Sequence, residues 1–360
     1  MLRVARFLNS FIRDTNDRVI EDEVGVGVAD GEVPATLFRP PGNAALPGWL
    51  VLHGVTVPGR HHGMLRRFAR SLAQSGGVVL IPEIAPWMKL RMDPDTANAT
   101  LAAAAHALAS RDDVSPGGIS LVGFSFGATQ ALITAAHDTG AGEIRSVVGF
   151  GGYCDLRRTI AFMMTGEHEW NGTQHRLDPD PYGRWIVAAN YLQNTPGYGD
   201  MEAVASAAGA MAAEAGRVGA YAADPQFDAL KLQLRSDLSA TEREVWDLLA
   251  PVTGERPPLD AARELAEGLS ETALKTHPVL DPQTILPTLR KRLVLAHGRA
   301  DHLVPFTETL RTRSLLPSDA PVDSYITRLF AHSTEAGSLP AHLYPLELGR
   351  YVQLLSRALR

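Results

Sequence analysis

The period of the hydrophobic pattern shifts repeatedly along this chain, and the shifts outline a fold. Arg18 to Ala29 alternates with the two-residue period of a strand, Asp30-Gly31 predicts a two-residue hairpin turn, and Val33 to Arg39 predicts the return strand. Pro40 to Asn43 breaks the pattern. Gly48 to Gly54 is a nearly continuous apolar run, which suits a strand buried on both faces of a parallel sheet. Met64 to Gln74 takes up the helical period and is closed by Gly76-Gly77. Val78 to Pro82 reads as the next strand, and the alanine-rich run Pro94 to Ser110 as a helix. Ile119 to Val122 is a buried strand leading into a helix from Ala128 to about His137, and Val147 to Gly152 is one more strand. Strands alternating with helices at this spacing mean an α/β chain with a mostly parallel central sheet and helices on both faces.

The alternation stops near Asp155 and resumes at Leu293. The intervening stretch, about 130 residues, is too long for an ordinary connection. Its clearest pieces are helical: Pro181 to Gln193, Asp200 to Ala215, Thr241 to Leu249 and Leu259 to Lys275. An all-helical insertion is expected, placed as a cap over the carboxyl edge of the sheet. Arg292 to Ala296 then predicts a strand, Thr307 to Leu315 a helix, Val322 to Leu329 the last strand and Leu343 to Leu359 a terminal helix. The expected organisation is an N-terminal helix over 1–17, a core made of 18–155 and 286–360, and a helical cap over 156–285.

The first residues change this picture only locally. Val4, Phe7, Leu8, Phe11 and Ile12 recur at helical spacing, with Arg3, Arg6, Asn9, Ser10 and Arg13 opposite. Such a helix docks on its own protein or on a second subunit, or lies on a membrane surface. It lacks an apolar signal core, and no run in the chain approaches the length of a membrane span. Composition adds exclusions. A net charge of −6 without a basic run argues against nucleic acid as the main partner. The single cysteine, Cys154, rules out an intrachain disulfide, and a cytoplasmic location is expected.

Chemistry enters at Gly123-Phe124-Ser125-Phe126-Gly127, where a buried strand turns sharply into a helix. The glycines make room for a strained turn that projects the Ser125 hydroxyl from the sheet, and the helix aims its unsatisfied N–H groups at negative charge forming there. A serine hydroxyl needs a base beside it, and the base needs a group to hold its tautomer. Asp301 lies just past one strand end and His332 just past the last. All three fall at carboxyl ends of parallel strands, where open α/β sheets place their sites. Asp155 is a rival acid, and His297, His302 and His342 are rival bases. His297, before a glycine in a strand-end turn, and His302, beside the acid, read better as structural. His61-His62 reads as solvated loop histidines and Cys154 as a small buried apolar residue. No metal site is expected. Phe162, Met163, Met164, Trp170, Trp185 and Tyr191 line either an acyl pocket or the insertion's own core.

Taken together, His53-Gly54, Gly123 to Gly127, His297 to Asp301 with Val304-Pro305, and His332 resemble an α/β-hydrolase over roughly residues 19–152 and 286–358. The stretch Ala35 to Gly42 leading into the His-Gly strand is similar to the dienelactone-hydrolase-like and carboxylesterase branches. Typical dienelactone hydrolases use cysteine where this chain has Ser125, so dienelactone is not the expected substrate. The resemblance implies a serine hydrolase acting on a small-molecule carboxylic ester through Ser125, His332 and Asp301, with amide and thioester cleavage open to the same triad. It also implies an oxyanion hole formed by backbone N–H groups of Val55, with Thr56 as a nearby alternative, and Phe126. No cofactor is required by this chemistry.

Overall fold

The computed structural model describes residues 2–14, 18–42, 44–138, 142–331 and 344–359. Eight strands build one sheet: β1 (Ile20–Val28), β2 (Gly31–Arg39), β3 (Gly48–Leu52), β4 (Val78–Pro82), β5 (Ile119–Phe124), β6 (Ile144–Phe150), β9 (Arg292–Gly298) and β10 (Val322–Thr327). Their order is β1-β2-β4-β3-β5-β6-β9-β10, antiparallel at β1-β2 and β2-β4 and parallel from β4 onward. The parallel run puts the carboxyl ends of β3, β5, β6, β9 and β10 along one edge, and that edge carries the site residues.

Strand alternation decides which helices cover which face. Trp49, Val51, Val79, Ile81, Val122, Val148 and Val294 point to one side, where α1 (Leu2–Arg13), α2 (Gly63–Gln74) and α13 (Pro345–Ala358) bring Val4, Phe7, Leu72, Leu354 and Leu355 against them. Leu50, Leu52, Leu80, Leu121, Val147, Leu293 and Leu295 point to the other, beneath α4 (Pro94–Ala109) and α5 (Phe126–His137). Val4 and Phe7 of α1 are therefore spent on the same chain, while Ile12 remains 70% exposed. Phe7 meets Phe68 edge-on with centroids 5.2 Å apart, and Arg67 donates to the carbonyls of Phe11 and Ile12 at the helix end.

Between β6 and β9 lie α6 (Leu156–Thr165), α7 (Pro181–Tyr191), α8 (Glu202–Val218), α9 (Asp228–Ser236), α10 (Ala240–Leu249) and α11 (Leu259–Thr276). The short α3 (Ala85–Met88) follows β4, and α12 (Thr307–Leu315) follows β9. The insertion is not all-helical as the sequence predicted. It contains an antiparallel hairpin, β7 (Glu167–Trp170) and β8 (Thr173–Arg176), turned by Asn171 and Gly172 at φ of 49° and 76°. Asn-Gly is a strong two-residue turn signal, but its flanking strands are polar and short, so no apolar alternation drew attention to it. A second difference is smaller. Val28 pairs with Gly31, so the first hairpin turns on Ala29 and Asp30, one residue earlier than expected. One hydrophobic cluster runs from the sheet through Trp185, Met211, Trp246 and Leu265, so the insertion shares its core with the sheet.

Because α1 is held chiefly by Val4 and Phe7, Phe7→Ala should cost about 3 kcal/mol. Trypsin should then cut the variant at Arg6 or Arg13 under conditions where the wild type stays intact, a comparison readable by limited proteolysis with mass spectrometry.

Candidate active site

Ser125 stands between β5 and α5 with φ 54° and ψ −129°, a conformation rarely populated by a residue with a side chain. Such a backbone costs about 1–3 kcal/mol and persists only where its surroundings enforce it. Here they do. A Cβ on Gly123 would sit 2.2 Å from the Gly127 carbonyl oxygen, and one on Gly127 would sit 2.4 Å from that of His53, so neither position accepts a side chain. The Ser125 N–H donates to the Phe150 carbonyl at 2.8 Å, and its own carbonyl accepts from Ala128. Ser125 itself is half-buried. Phe126 opens α5, so its N–H belongs to the first turn that has no intrahelical acceptor.

The loop after β3 runs beside this elbow, close enough that a Cβ on Gly54 would lie 3.9 Å from Ser125 Oγ. Two of its carbonyls are held by side chains, one from within the loop and one from the insertion. His53 Nδ1 donates to the Gly54 oxygen at 2.7 Å while Nε2 accepts from the Ile84 N–H at 3.4 Å, which fixes the tautomer. Burial holds this imidazole down at about 4, so it is neutral and suited to both bonds. The Tyr182 hydroxyl, from α7 of the insertion, donates to the Val55 oxygen at 3.1 Å, and burial pushes that phenol up to about 12. Since peptides here are trans, fixing the Gly54 and Val55 carbonyls turns the N–H groups of Val55 and Thr56 the opposite way.

Asp301 follows β9, two strands from β5 along the same edge, and strand spacing puts the two strand ends about 10 Å apart. It is buried, and its Oδ1 accepts the N–H groups of Leu303 and Val304, both at 2.9 Å. Its Oδ2 lies 3.3 Å from His297 Nε2. That histidine is fully buried, donating Nε2–H to the Val304 carbonyl at 2.9 Å and accepting at Nδ1 from Thr309. It acts as a brace for the loop. His302 uses Nδ1 on the Asp178 carbonyl and receives the Asp180 N–H at its own carbonyl, tying the loop to the insertion. His332 and His342 lie outside the described residues. The segment just before His332 crosses the end of β9, where a Cβ on Gly298 would come within 2.4 Å of the Phe330 oxygen.

The other candidates have ordinary employment. Asp155 caps α6, accepting the Arg158 N–H at 3.0 Å. Phe162, Trp185 and Tyr191 are wholly buried core, and Trp185 donates to the Leu249 carbonyl. A cleft of about 490 Å³ lined by Arg158, His168, Glu169, Arg263, Glu308 and Arg311 contains none of the predicted site residues. Among the described residues no group of three or more His, Cys, Asp or Glu side chains is arranged to hold a metal ion.

Sequence reasoning missed Glu308, which sits in no motif. It is buried in α12, and its Oε2 accepts the N–H groups of Cys154 and Asp155 at 3.0 and 2.8 Å. It thus joins the loop after β6 to the helix that follows Asp301. Burial pushes its carboxyl up to about 7.

The fold is that of the α/β-hydrolases. The chain superposes on a bacterial brefeldin A esterase, described as a homologue of human hormone-sensitive lipase, with TM-score 0.52 and 16% identity over 99% of this chain and 84% of that one. An esterase of Pyrococcus furiosus gives TM-score 0.50 and 15% identity over 94% and 91%. An acylaminoacyl peptidase of Pyrococcus horikoshii gives TM-score 0.50 and 11% identity over 97% of this chain and 43% of that one. No protein-family model and no curated protein sequence matches the chain.

Glu308 makes stability depend on pH in a defined direction. Its folded value near 7 lies above the ordinary 4.5, so the folded state holds the extra proton and stability falls as pH rises from about 4.5 to about 7. Glu308→Gln keeps an oxygen for the two N–H groups and has no charge to bury. Thermal melts across pH should therefore show the variant gaining on the wild type through that window and keeping a constant lead above it.

Proposed function

We propose that the protein is a serine hydrolase that cleaves a carboxylic ester through an acyl-enzyme. The observation that carries this reading is Ser125 held at positive φ on the elbow between β5 and α5, with buried Asp301 on the same sheet edge. In this reading His332 takes the proton of Ser125 as Oγ attacks the acyl carbon, and Asp301 holds the resulting imidazolium. The N–H groups of Val55 and Phe126 receive the oxyanion. The alcohol leaves with the proton from His332, and a water deprotonated by the same histidine releases the acid and frees Ser125. The insertion, residues 156–285, serves as the cap that sizes the acyl pocket, and it reaches the oxyanion loop directly through Tyr182. Amides and thioesters are open to the same machinery and are separated from esters by assay alone.

The deciding experiment is hydrolysis of p-nitrophenyl esters from acetate to palmitate by the wild type and by Ser125→Ala and Asp301→Asn. Asparagine retains an oxygen for Leu303 and Val304, so the second variant should fold. Both should lose roughly 10⁴-fold or more in kcat. Equal release by wild type and Ser125→Ala would refute the assignment.

Tyr182→Phe removes the hydroxyl from the Val55 carbonyl and leaves the ring in place. Roughly tenfold lower kcat with KM within about twofold is expected, because the donors it steadies act on the transition state. A change confined to KM would place Tyr182 in substrate binding instead.

A further inference from the structure

The face carrying α1 and α13 combines two features that no part of the proposed reaction uses. The first is an apolar groove of about 420 Å³ bounded by Leu2, Val4, Ala5, Leu8 and Val352, beside which Leu2 remains 67% exposed. The second is a set of arginines without acidic partners among the described residues. Arg145 and Arg292 begin the adjacent strands β6 and β9, with Ser146 in register with Arg292. Arg145 donates Nε to Ser120 Oγ at 3.1 Å, but its Nη2 is buried with no hydrogen-bond partner. Arg292 spends Nη2 on the Arg357 carbonyl. Arg3, one residue from Leu2, lies close enough to Arg145 that it and Arg292 add to burial in holding that guanidinium below its ordinary value. The neighbouring acids are already engaged, Asp323 by Arg357 at 4.0 Å and Asp138 by Lys291 at 3.1 Å. Arg6 and Arg13 stand exposed on α1, which contains no acidic residue.

We infer that this face docks on an anionic phospholipid surface, with the α1 and α13 groove and Leu2 entering the acyl boundary and Arg3, Arg6 and Arg292 meeting lipid phosphates. Charge complementarity selects this occupant. A chain of net charge −6 has concentrated unpaired cations beside an apolar groove, the pairing that holds peripheral helices to anionic bilayers. A second copy fits less well, because a two-fold contact through this groove would set arginines against arginines. The docking face is also remote from the chemistry. Arg145 and Arg292 stand at the amino ends of seven-residue strands, so the edge carrying Ser125 and Asp301 lies roughly 20 Å away. Docked this way, the protein is anchored with its site facing water.

The test is co-flotation of the full chain with vesicles of phosphatidylcholine alone and of phosphatidylcholine with about one-third phosphatidylglycerol. Binding to the anionic vesicles only, and its loss at high salt, is expected. Arg3→Ala with Arg6→Ala should weaken that binding roughly 20-fold, about fivefold per arginine, and Leu2→Ser should weaken it further, with circular dichroism and turnover of any dissolved ester substrate unchanged. Failure of the folded wild type to float with anionic vesicles, or equal flotation with neutral ones, would overturn the proposal. So would a dimer in light scattering whose dissociation by Arg3→Glu accompanies no vesicle binding. Flotation needs no turnover, so its outcome is independent of the triad assignment.

Discussion

The close approach of two main chains at Gly127, against the carbonyl of His53, is the constraint from which the candidate site follows. The first turn of α5 is pressed onto the end of β3 so tightly that no Cβ fits between them. Gly123 repeats the condition against the Gly127 carbonyl. With both flanks stripped of side chains, Ser125 is the residue left to take positive φ, and burial of β5 with most of α5 holds the strain in place. The same contact fixes the distance between the serine elbow and the loop after β3. Ser125 and the loop after β3 are therefore placed by one event, and neither can shift without the other.

The insertion then grips this edge at two points. Tyr182 holds the loop after β3 by the Val55 carbonyl, and Asp178 and Asp180 hold the loop after β9 through His302. Because the hydrophobic cluster continues from sheet to insertion, these contacts come from a packed element rather than a mobile flap. Glu308 adds a third tie, from α12 to the loop after β6. Hydrogen bonds ending on main-chain groups thus brace the loops around Ser125 and Asp301.

Much of this was legible in the sequence, for physical reasons that differ by element. Val78 to Pro82 and Thr307 to Leu315 occur with the bounds their patterns predicted, and the helical period of the first residues was read correctly because α1 buries one face. Ser125 and Asp301 were singled out because the turn demands glycines at fixed offsets and the strand-end loop a recognisable run. Tyr182 and Glu308 carried no such signal. Each acts on a backbone group more than 120 residues away, and a tyrosine or glutamate in a helix says nothing of that until the chain is folded. Helix α6 was missed because Asp155 drew attention as an acid when its carboxylate was serving as a cap.

A parallel sheet divides its two edges by chemistry. Every carboxyl end in the parallel run β4-β3-β5-β6-β9-β10 opens on the same side, so loops that need exact mutual placement collect there. The amino ends are free of that demand, and at β6 and β9 they carry arginines whose charge no neighbouring carboxylate answers. A fold of this kind could answer that charge with an acid at the same edge. That it places Arg3 there instead, on a helix with an exposed leucine at its tip, is the pattern of a surface completed by something outside the chain. The strands keep these arginines a sheet's width from Ser125, so a contact made at one edge leaves the other unobstructed.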